Sequence, residues 1–232
     1  MVLEKGTFFG GRLDRLAGRM KKSAGNTCAV FLDTGAIIDF EREIERWKLK
    51  DSRVTPYDFY QDLTSRRMPL YVTVPICGEV LFHHKNHKLS GSPEISGETV
   101  ELIMSMHQNY LDMLKRERVA LRDSEQVGYD TYWASKMAFA EGHKKREMDP
   151  VSYADRDLVS SALWARYIRF PEEDQKVFFE TTSREEKLNG LSGVVILSPD
   201  SHIERLVNVL TGKDFESRGA FDYNGLYTFS SR

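Results

Sequence analysis

Short apolar runs alternate along this chain with longer stretches in which apolar residues recur every three or four positions. The short runs have the length and composition of buried strands. They are CAVFLD at 28–33, LYVTVP at 70–75, VVILS at 194–198 and a last run at 226–230. The pattern predicts a parallel sheet, because strands of this kind are buried on both faces.

Helical periodicity fills the intervals between these predicted strands. After the first run, Ile37, Phe40, Ile44 and Trp47 recur at helical spacing, with charged residues between them. Five further helices are predicted: one opened by Thr55-Pro56, one over 78–88, two over about 98–147 with a break near Gly128, and one over 152–170. Strands that alternate with helices predict an α/β fold with helices on both faces of the sheet.

Composition and charge suggest the domain organisation. The chain has 232 residues, enough for one large α/β domain or for a domain with an insertion. Residues 1–27 are Gly-rich and basic, so we expect an N-terminal extension followed by one domain over 28–232. The net charge of −2 excludes overall basicity as a source of affinity for nucleic acid.

The cysteines and the hydropathy indicate a soluble protein. Cys28 and Cys77 each lie in an apolar run, which is typical of small buried residues rather than of a disulfide framework or a zinc site. No run approaches the roughly 18 apolar residues of a transmembrane helix, and the N-terminus has no apolar signal core. We therefore expect a cytoplasmic protein that does not bind membranes.

Acidic residues follow the predicted strands. Asp33, Glu79 and Asp200 come at or just after three of them, and Asp155 and Asp157 open the 152–170 helix. Ligands of such sheets bind beyond the carboxyl ends of the strands, so these side chains are expected to converge. Clustered carboxylates repel one another unless a cation intervenes. Oxygen ligands without a His/Cys cluster favour Mg²⁺ or Mn²⁺, and one or two such ions suit phosphodiester hydrolysis.

Four segments, taken in order, resemble the motifs of PIN-domain ribonucleases. They are FLDTGAIID at 31–39, VTVPICGEVL at 72–81, VSYADRDLVSSA at 151–162 and VILSPDSH at 195–202. The resemblance implies a three-layer α/β/α sandwich with a central parallel sheet. It also implies a Mg²⁺- or Mn²⁺-dependent endoribonuclease that cuts RNA, most often single-stranded, and leaves a 5′-phosphate.

The same resemblance implies roles for individual residues. The metal ligands would be Asp33, Glu79, Asp155 and Asp200, with Asp157 as an additional catalytic carboxylate. Thr34 and Ser198 would orient carboxylates or water. Asp155 is preferred over Asp157 as the main ligand because it shares a helix face with apolar residues that should pack on the sheet.

The chain also departs from the family pattern. Gly35 stands where Asn or Ser is commoner, so a polar contact near the metal is expected to be missing. The interval between the second and third motifs is longer than in small toxin-type members, because of an inserted helical pair at about 98–147. A more specialised nuclease is therefore expected. A homodimer, an antitoxin-like partner and a larger complex all stay open.

Each acidic residue has a structural alternative. Asp33 fits a helix N-cap, and Glu79 at a helix start would complement the helix dipole. Ser152 and Asp155 fit a capping box. Ser198-Pro199-Asp200 fits a turn that opens a helix. Only the coincidence of these residues at one sheet edge favours a metal site.

Basic residues form two candidate RNA-binding groups. His84, Lys85 and Lys88 mark a cationic helix end, for which the alternative is a solvated last turn. On the predicted insertion, basic side chains could follow a phosphate backbone beside stacking aromatic rings. These are Arg116, Arg118, Lys144 and Lys145, with Tyr129, Tyr132 and Trp133. The alternative is a solvated charged face with the aromatic rings in the core.

Three other functions compete with the nuclease interpretation. A non-catalytic PIN-like module for RNA binding or assembly is one alternative, although keeping unneeded buried acids would be costly. Asp33-Thr34-Gly35 also resembles the catalytic loop of retropepsin-type aspartic proteases, which pair two Asp side chains in a β-rich fold. The helix predicted directly after Asp33 disfavours that interpretation. A haloacid-dehalogenase-type phosphatase needs an Asp where Gly35 stands.

Overall fold

The protein was analysed as a computed structural model of the full chain. The structure describes residues 29–64, 69–90, 94–116, 127–137, 151–169, 194–213, 223 and 226–229. The predicted N-terminal extension at 1–27 lies outside these residues.

Four parallel strands form one sheet. They are β1 (Ala29–Leu32), β2 (Leu70–Tyr71), β3 (Val194–Leu197) and β4 (Leu226–Phe229), arranged in the order β2-β1-β3-β4. β1 runs in register with β3 from Ala29 opposite Val194 to Leu32 opposite Leu197. Every residue of β1 and β3 is buried, as expected for the inner strands of a parallel sheet. The prediction of an α/β fold with a parallel sheet is confirmed.

Helices occupy the intervals between the strands. They are α1 (Thr34–Lys50), α2 (Pro56–Thr64), α3 (Val74–Ser90), α4 (Gly97–Arg116), α5 (127–137), α6 (Tyr153–Arg169) and α7 (Ser201–Leu210). The predicted apolar faces of α1 and α6 are buried, with Ile37, Ile44, Leu158 and Ala162 fully enclosed. Within the described part of the chain, none of the helices combines the length and apolar character needed to cross a membrane.

Two helices begin as their sequences predict, because side chains satisfy free backbone amides. At the start of α2, the Thr55 hydroxyl accepts from the Asp58 amide (3.2 Å), and the Asp58 carboxylate accepts from the Thr55 amide (3.0 Å). At the start of α6, Ser152 and Asp155 make the same reciprocal pair at 3.0 and 3.1 Å. Each pair satisfies two donors that the helix itself leaves unbonded.

The second strand is shorter than predicted and its helix starts earlier. The run at 70–75 contributes only Leu70 and Tyr71 to the sheet, and α3 begins at Val74 rather than near Gly78. Pro75 is compatible with this start, since a helix tolerates proline in its first turn. The Cys77 amide donates to the Thr73 carbonyl (2.9 Å), the first bond of the helix. Glu79 therefore lies in the second turn of α3, not at a helix start, and the helix-dipole explanation for it is wrong.

The strand order locates a crevice between β1 and β3. From β1 the chain moves to β2 on one side, then returns past β1 to β3 and continues outward to β4. Successive strands are therefore added to the sheet in opposite directions on the two sides of the β1–β3 boundary, and the carboxyl ends of β1 and β3 form the switch point. In open parallel sheets this switch point is where ligands bind. Asp33 directly follows β1, and Ser198 directly follows β3.

Candidate active site

Asp33 lies at the switch point, and its side chain does not cap the helix that it precedes. The residue is at the N-cap position of α1, but its carboxylate makes no capping hydrogen bond. Instead, Asp33 Oδ2 accepts from the Ser198 hydroxyl at 2.7 Å. Both residues are buried. Simple helix capping therefore does not account for Asp33.

Ser198 links the ends of the two central strands. Besides donating to Asp33, its hydroxyl accepts from the backbone amide of Asp200 at 2.9 Å. The Asp33 amide in turn donates to the Leu197 carbonyl at 3.1 Å. A hydroxyl that donates once and accepts once has one fixed orientation. The position of the Asp33 carboxylate is thus set by the turn that follows β3.

Asp200 does act as a helix cap. Its Oδ1 accepts from the His202 amide at 2.7 Å and lies 3.4 Å from His202 Nδ1. The sequence alternative, a turn that opens a helix, is confirmed for this residue. Asp200 is half-buried, and its other carboxylate oxygen takes no part in these contacts.

Glu79 is joined to the Asp33 segment through Thr34. The Thr34 hydroxyl, in the first residue of α1, donates to Glu79 Oε2 at 2.6 Å. Thr34 is buried and Glu79 is half-buried, so this contact is only partly exposed to water. The contact brings the second-motif acid next to the residue that follows Asp33 in the chain.

Asp155 and Asp157 stand on the first turns of α6 in different surroundings. Asp155 uses Oδ2 in the capping box with Ser152, and its charge acts on Asp33. Asp157 is partly buried, which raises its pKa, while the Thr73 hydroxyl acts to lower it. Asp155 is therefore the one of the two whose charge acts on Asp33, and its capping role is confirmed.

The electrostatics of Asp33 set it apart from an ordinary surface acid. Its pKa is raised from 3.8 to about 6, first because burial removes water from the charged form. The Ser198 hydroxyl and the Thr34 amide lower this pKa, whereas the charges of Asp155 and Asp200 raise it. Asp33, Asp155 and Asp200 therefore repel one another at the carboxyl end of the sheet, and we call this place the acidic edge.

No cationic side chain of the described ranges compensates this repulsion. Among the described residues, none of Asp33, Glu79, Asp155 and Asp157 forms an ion pair with a Lys or Arg, and the Asp200 carboxylate pairs only with His202. By contrast, Arg42 on the surface of α1 pairs with both Asp39 and Glu94 at 3.3 Å. Asp33 is the buried acid of this group, and an acid held among like charges without a cationic partner provides surroundings in which a bound cation is stabilised.

The spacing of the acids limits how a metal could be held. Among the described residues, no group of three or more His, Cys, Asp or Glu side chains is close enough to ligate one ion directly. The donor set still fits a hard cation, since it consists of carboxylate oxygens and hydroxyls that orient them. Some of its contacts to an ion would then run through water, which is common for Mg²⁺.

Gly35 is required by the packing at the switch point. A Cβ at position 35 would lie 2.6 Å from Pro199 Cγ, 3.0 Å from Pro199 Cδ and 3.3 Å from Asp33 Oδ2. The rigid proline ring thus fills the space that a side chain at position 35 would occupy. The glycine noted as a departure from the family pattern is matched by Pro199 on the facing turn.

Gly35→Ala is expected to lower the free energy of unfolding by about 1–3 kcal/mol, the usual cost of overpacking. The added methyl group would push Pro199 and the Asp33 carboxylate apart. Urea denaturation of the two proteins would measure the difference. The double variant Gly35→Ala/Pro199→Ala should recover most of the loss. Equal loss in both variants would contradict this packing argument.

Thr73 is a residue that the motif comparison did not single out. It is fully buried, and its hydroxyl has no hydrogen-bond partner of ordinary geometry among the described residues. It precedes α3 and faces Asp157 of α6 closely enough to affect its pKa. The only sequence signal for this residue was its position inside an apolar run, two residues before Pro75. An unbonded buried hydroxyl beside a partly buried acid is a place where a water ligand would be held.

The first group of predicted RNA-binding residues is only partly described. His84 is half-buried, and its Nδ1 contacts the Ile95 carbonyl at 2.8 Å, so it fixes the segment that precedes α4. Its neighbour His83 contacts Glu94 at 3.0 Å. Lys85 is exposed. Lys88 lies within α3, and its side chain is outside the described part. Helix α3 ends at Ser90, so Lys88 lies in its last turn and His84 lies in the turn before it.

In the second group of predicted RNA-binding residues, the structure describes the aromatic side chains, but the basic side chains at 116, 118, 144 and 145 lie outside its described part. Arg116 ends α4, with its side chain outside the described part, and Arg118, Lys144 and Lys145 lie outside the described residues. Tyr129, Tyr132 and Trp133 are 60%, 42% and 47% exposed. The alternative that placed these three rings in the core is wrong.

Comparison with known proteins gives no family assignment: no family model, no curated protein and no solved structure matches this chain. What bears on the function of the acidic edge is therefore its own residues and their contacts.

Proposed function

We propose that this protein is a metal-dependent endoribonuclease with a PIN-like three-layer α/β/α domain. The observation that supports this proposal most strongly is Asp33, a buried acid at the switch point of a parallel sheet. It is repelled by Asp155 and Asp200, and no described cation pairs with it. Such an arrangement costs stability, so a functional role accounts for it better than a structural one. Two hydrogen bonds between the ends of β1 and β3 hold this site in place: the Ser198 hydroxyl donates to the Asp33 carboxylate, and the Asp33 amide donates to the Leu197 carbonyl.

Mg²⁺ or Mn²⁺, as one or two ions, is the cofactor that these residues fit. Asp33, Glu79, Asp155 and Asp200 would hold it, partly through water, with Asp157 assisting. When bound, such an ion lowers the pKa of a water molecule and offsets the charge that develops on a phosphate. The apolar strands beneath the acids would strengthen these interactions by excluding bulk water.

The hydroxyl groups of the chain would position the acids for this task. Ser198 holds one oxygen of Asp33, and Thr34 holds one oxygen of Glu79. Side chains that orient metal ligands in this way commonly contribute 10- to 100-fold to affinity or activity, as a rough guide. Asp155 and Asp200 are likewise held by the backbone amides of Ser152 and His202. The four acids are therefore preorganised by contacts with separate partners.

The alternatives are less well supported by the contacts. In an aspartic protease, two Asp side chains from a β-rich fold share one proton. Here Asp33 leads from a parallel strand directly into α1, and its near neighbour is a serine. A non-catalytic RNA-binding module would have no use for a destabilised acid at the switch point. That module remains the second candidate, and cleavage assays separate the two.

The test is incubation of the purified protein with end-labelled single-stranded RNA in Mn²⁺ or in EDTA. We expect cleavage in Mn²⁺ and none in EDTA. Asp33→Asn should reduce the rate on the order of 1000-fold, since several kcal/mol of charge stabilisation depend on the ion. Glu101→Gln, an exposed acid of α4, is the matched control and should cut at the normal rate.

Three other outcomes are informative. Cleavage that survives both EDTA and Asp33→Asn would overturn the nuclease proposal. RNA binding without cleavage in Mn²⁺ would favour the non-catalytic module. Cleavage of casein that is blocked by pepstatin would favour the protease.

A further inference from the structure

Helix α5 (127–137) has a buried face without large aromatic residues and an exposed face that carries them. Its buried positions are Val127, Thr131, Ala134 and Ser135. The spacing of these positions is that of one face of a helix. On the other side lie Tyr129, Tyr132 and Trp133, which are 42–60% exposed. Aromatic residues usually supply the buried face of an amphipathic helix, so this inversion calls for an explanation.

The three rings form one continuous cluster. Tyr129 and Trp133 have their centroids 6.1 Å apart at 67°, and Tyr132 and Trp133 are 5.7 Å apart at 78°. These are edge-to-face contacts, which leave ring faces open to solvent. We call Tyr129, Tyr132 and Trp133 the aromatic platform.

Two cations lie against the platform. Lys136 Nζ is 5.1 Å and Arg156 Cζ is 5.8 Å from the centroid of the Tyr132 ring. Both distances are within the range of cation–π attraction. Tyr132 therefore holds two positive charges beside Tyr129 and Trp133. A surface that combines flat rings with cations complements a chain of bases and phosphates, whereas a protein helix would require aliphatic groups.

The platform adjoins the acidic edge. Arg156 lies between Asp155 and Asp157 in the sequence, so its contact with Tyr132 links α5 to the first turns of α6. A second contact fixes α5, since the Tyr223 hydroxyl donates a short hydrogen bond to the Asp130 carboxylate. The exposed rings are thus held on a docked helix beside the turn that carries Asp155.

We propose that the aromatic platform binds bases of single-stranded RNA, with Tyr129 and Trp133 stacking on bases and Lys136 and Arg156 contacting phosphates. The proposal rests on the proposed nuclease function and assigns it a substrate-binding site on α5. Stacking is possible only for unpaired bases, so the platform would select single-stranded over duplex RNA. It would position the strand beside the acids.

Binding can be tested in EDTA, where cleavage is absent. The probe is a fluorescein-labelled 15-nucleotide oligouridine, measured by anisotropy. Trp133→Ala should weaken binding about 5- to 100-fold, because stacking of one base contributes about 1–3 kcal/mol. Trp133→Phe should retain most of the affinity. Tyr57→Ala, which removes a ring that is 58% exposed on α2, is the control and should bind normally.

Failure of this proposal differs from failure of the nuclease proposal. If Trp133→Ala and Tyr129→Ala bind the oligonucleotide as tightly as the wild type, the platform is overturned, whether or not the wild type cuts RNA. If they lose binding but no protein cuts RNA in Mn²⁺, the platform stands and the nuclease is overturned. Equal affinity of the wild type for a duplex RNA of the same length would also overturn the platform.

A protein partner or a second copy of the chain is the competing occupant. If Trp133→Ala changed the mass measured by light scattering but not the affinity for RNA, the platform would be an interface between copies. Thermal unfolding of the variants should match that of the wild type, because the substituted rings are largely exposed. Binding losses can then be attributed to lost contacts rather than to unfolding.

Discussion

Asp33→Asn is expected to make the metal-free protein more stable at pH 7.5, although it removes the side chain on which the proposed activity most depends. The pKa of Asp33 is raised from 3.8 in an unfolded chain to about 6 in the folded protein. Between these values the folded state binds more protons than the unfolded state. The stability of the wild type therefore falls as the pH rises from about 4 to about 6. The loss is as large as about 3 kcal/mol.

Asparagine carries no charge to desolvate, and it keeps an oxygen that can accept from Ser198. The difference in unfolding free energy between Asp33→Asn and the wild type should therefore be small at pH 4.5 and should grow up to pH 7.5. Urea denaturation in EDTA at the two pH values measures this difference. The comparison isolates Asp33 because Asp157, whose pKa is also raised, is present in both proteins. A variant that is less stable at pH 7.5, or a difference independent of pH, would contradict the account.

Glu79→Gln is expected to reduce RNA cleavage in Mn²⁺ on the order of 100- to 1000-fold. Glu79 is held against Thr34, and we place it among the ligands of the ion. Loss of its charge would weaken the hold on the ion and would leave developing phosphate charge less well stabilised. Rates measured over a range of Mn²⁺ concentrations with labelled single-stranded RNA would show the effect. Glu101→Gln again serves as the control.

Thr34→Val tests how much of the effect of Glu79 depends on the position of its carboxylate rather than on its charge. It removes the 2.6 Å hydrogen bond to Glu79 but keeps the carboxylate, so activity should fall roughly 10- to 100-fold. Much of the loss should be recovered at high Mn²⁺ concentration, and Thr34→Ser should restore the normal Mn²⁺ requirement. A Thr34→Val loss that neither high Mn²⁺ nor Thr34→Ser corrects would indicate a packing role for this residue instead.

The parallel sheet and the position of Asp33 could be predicted because they depend on local patterns. An apolar run that ends in an acid, followed at once by helical periodicity, has few interpretations, and the strand and helix are found there. The run at 70–75 was predicted as a strand over its whole length, although Thr73 and Val74 also suit the start of a helix. Pro75 is compatible with the helix start, and that moves Glu79 from a helix start into the second turn.

The roles of the acids could not be predicted because they depend on contacts between distant segments. Asp33 and Asp200 both occupy N-cap positions, yet only Asp200 caps its helix, since Ser198 holds the Asp33 carboxylate. Glu41 is a buried acid that the motifs do not include. It accepts from the Ser96 amide (3.1 Å) and from the Thr99 hydroxyl at the start of α4. Burial of an acid is thus not by itself a sign of a metal site.

The exposure of the α5 rings could not be predicted either, because it also depends on contacts between distant segments. Tyr129, Tyr132 and Trp133 have the spacing of a helix face, but spacing does not tell which face meets the core. Small residues on the opposite side, such as Ala134 and Ser135, allow close packing, and this decides the orientation of the helix.

Binding of Mn²⁺ followed by electron paramagnetic resonance tests the central claim most directly, since free Mn²⁺ gives a signal that is lost when the ion is bound. At pH 7.5 we predict that the wild type and Glu101→Gln each bind one or two ions. Asp33→Asn should bind at least about tenfold more weakly. Absence of binding to the wild type, or equal binding by Asp33→Asn, would contradict the claim that these acids share a divalent cation.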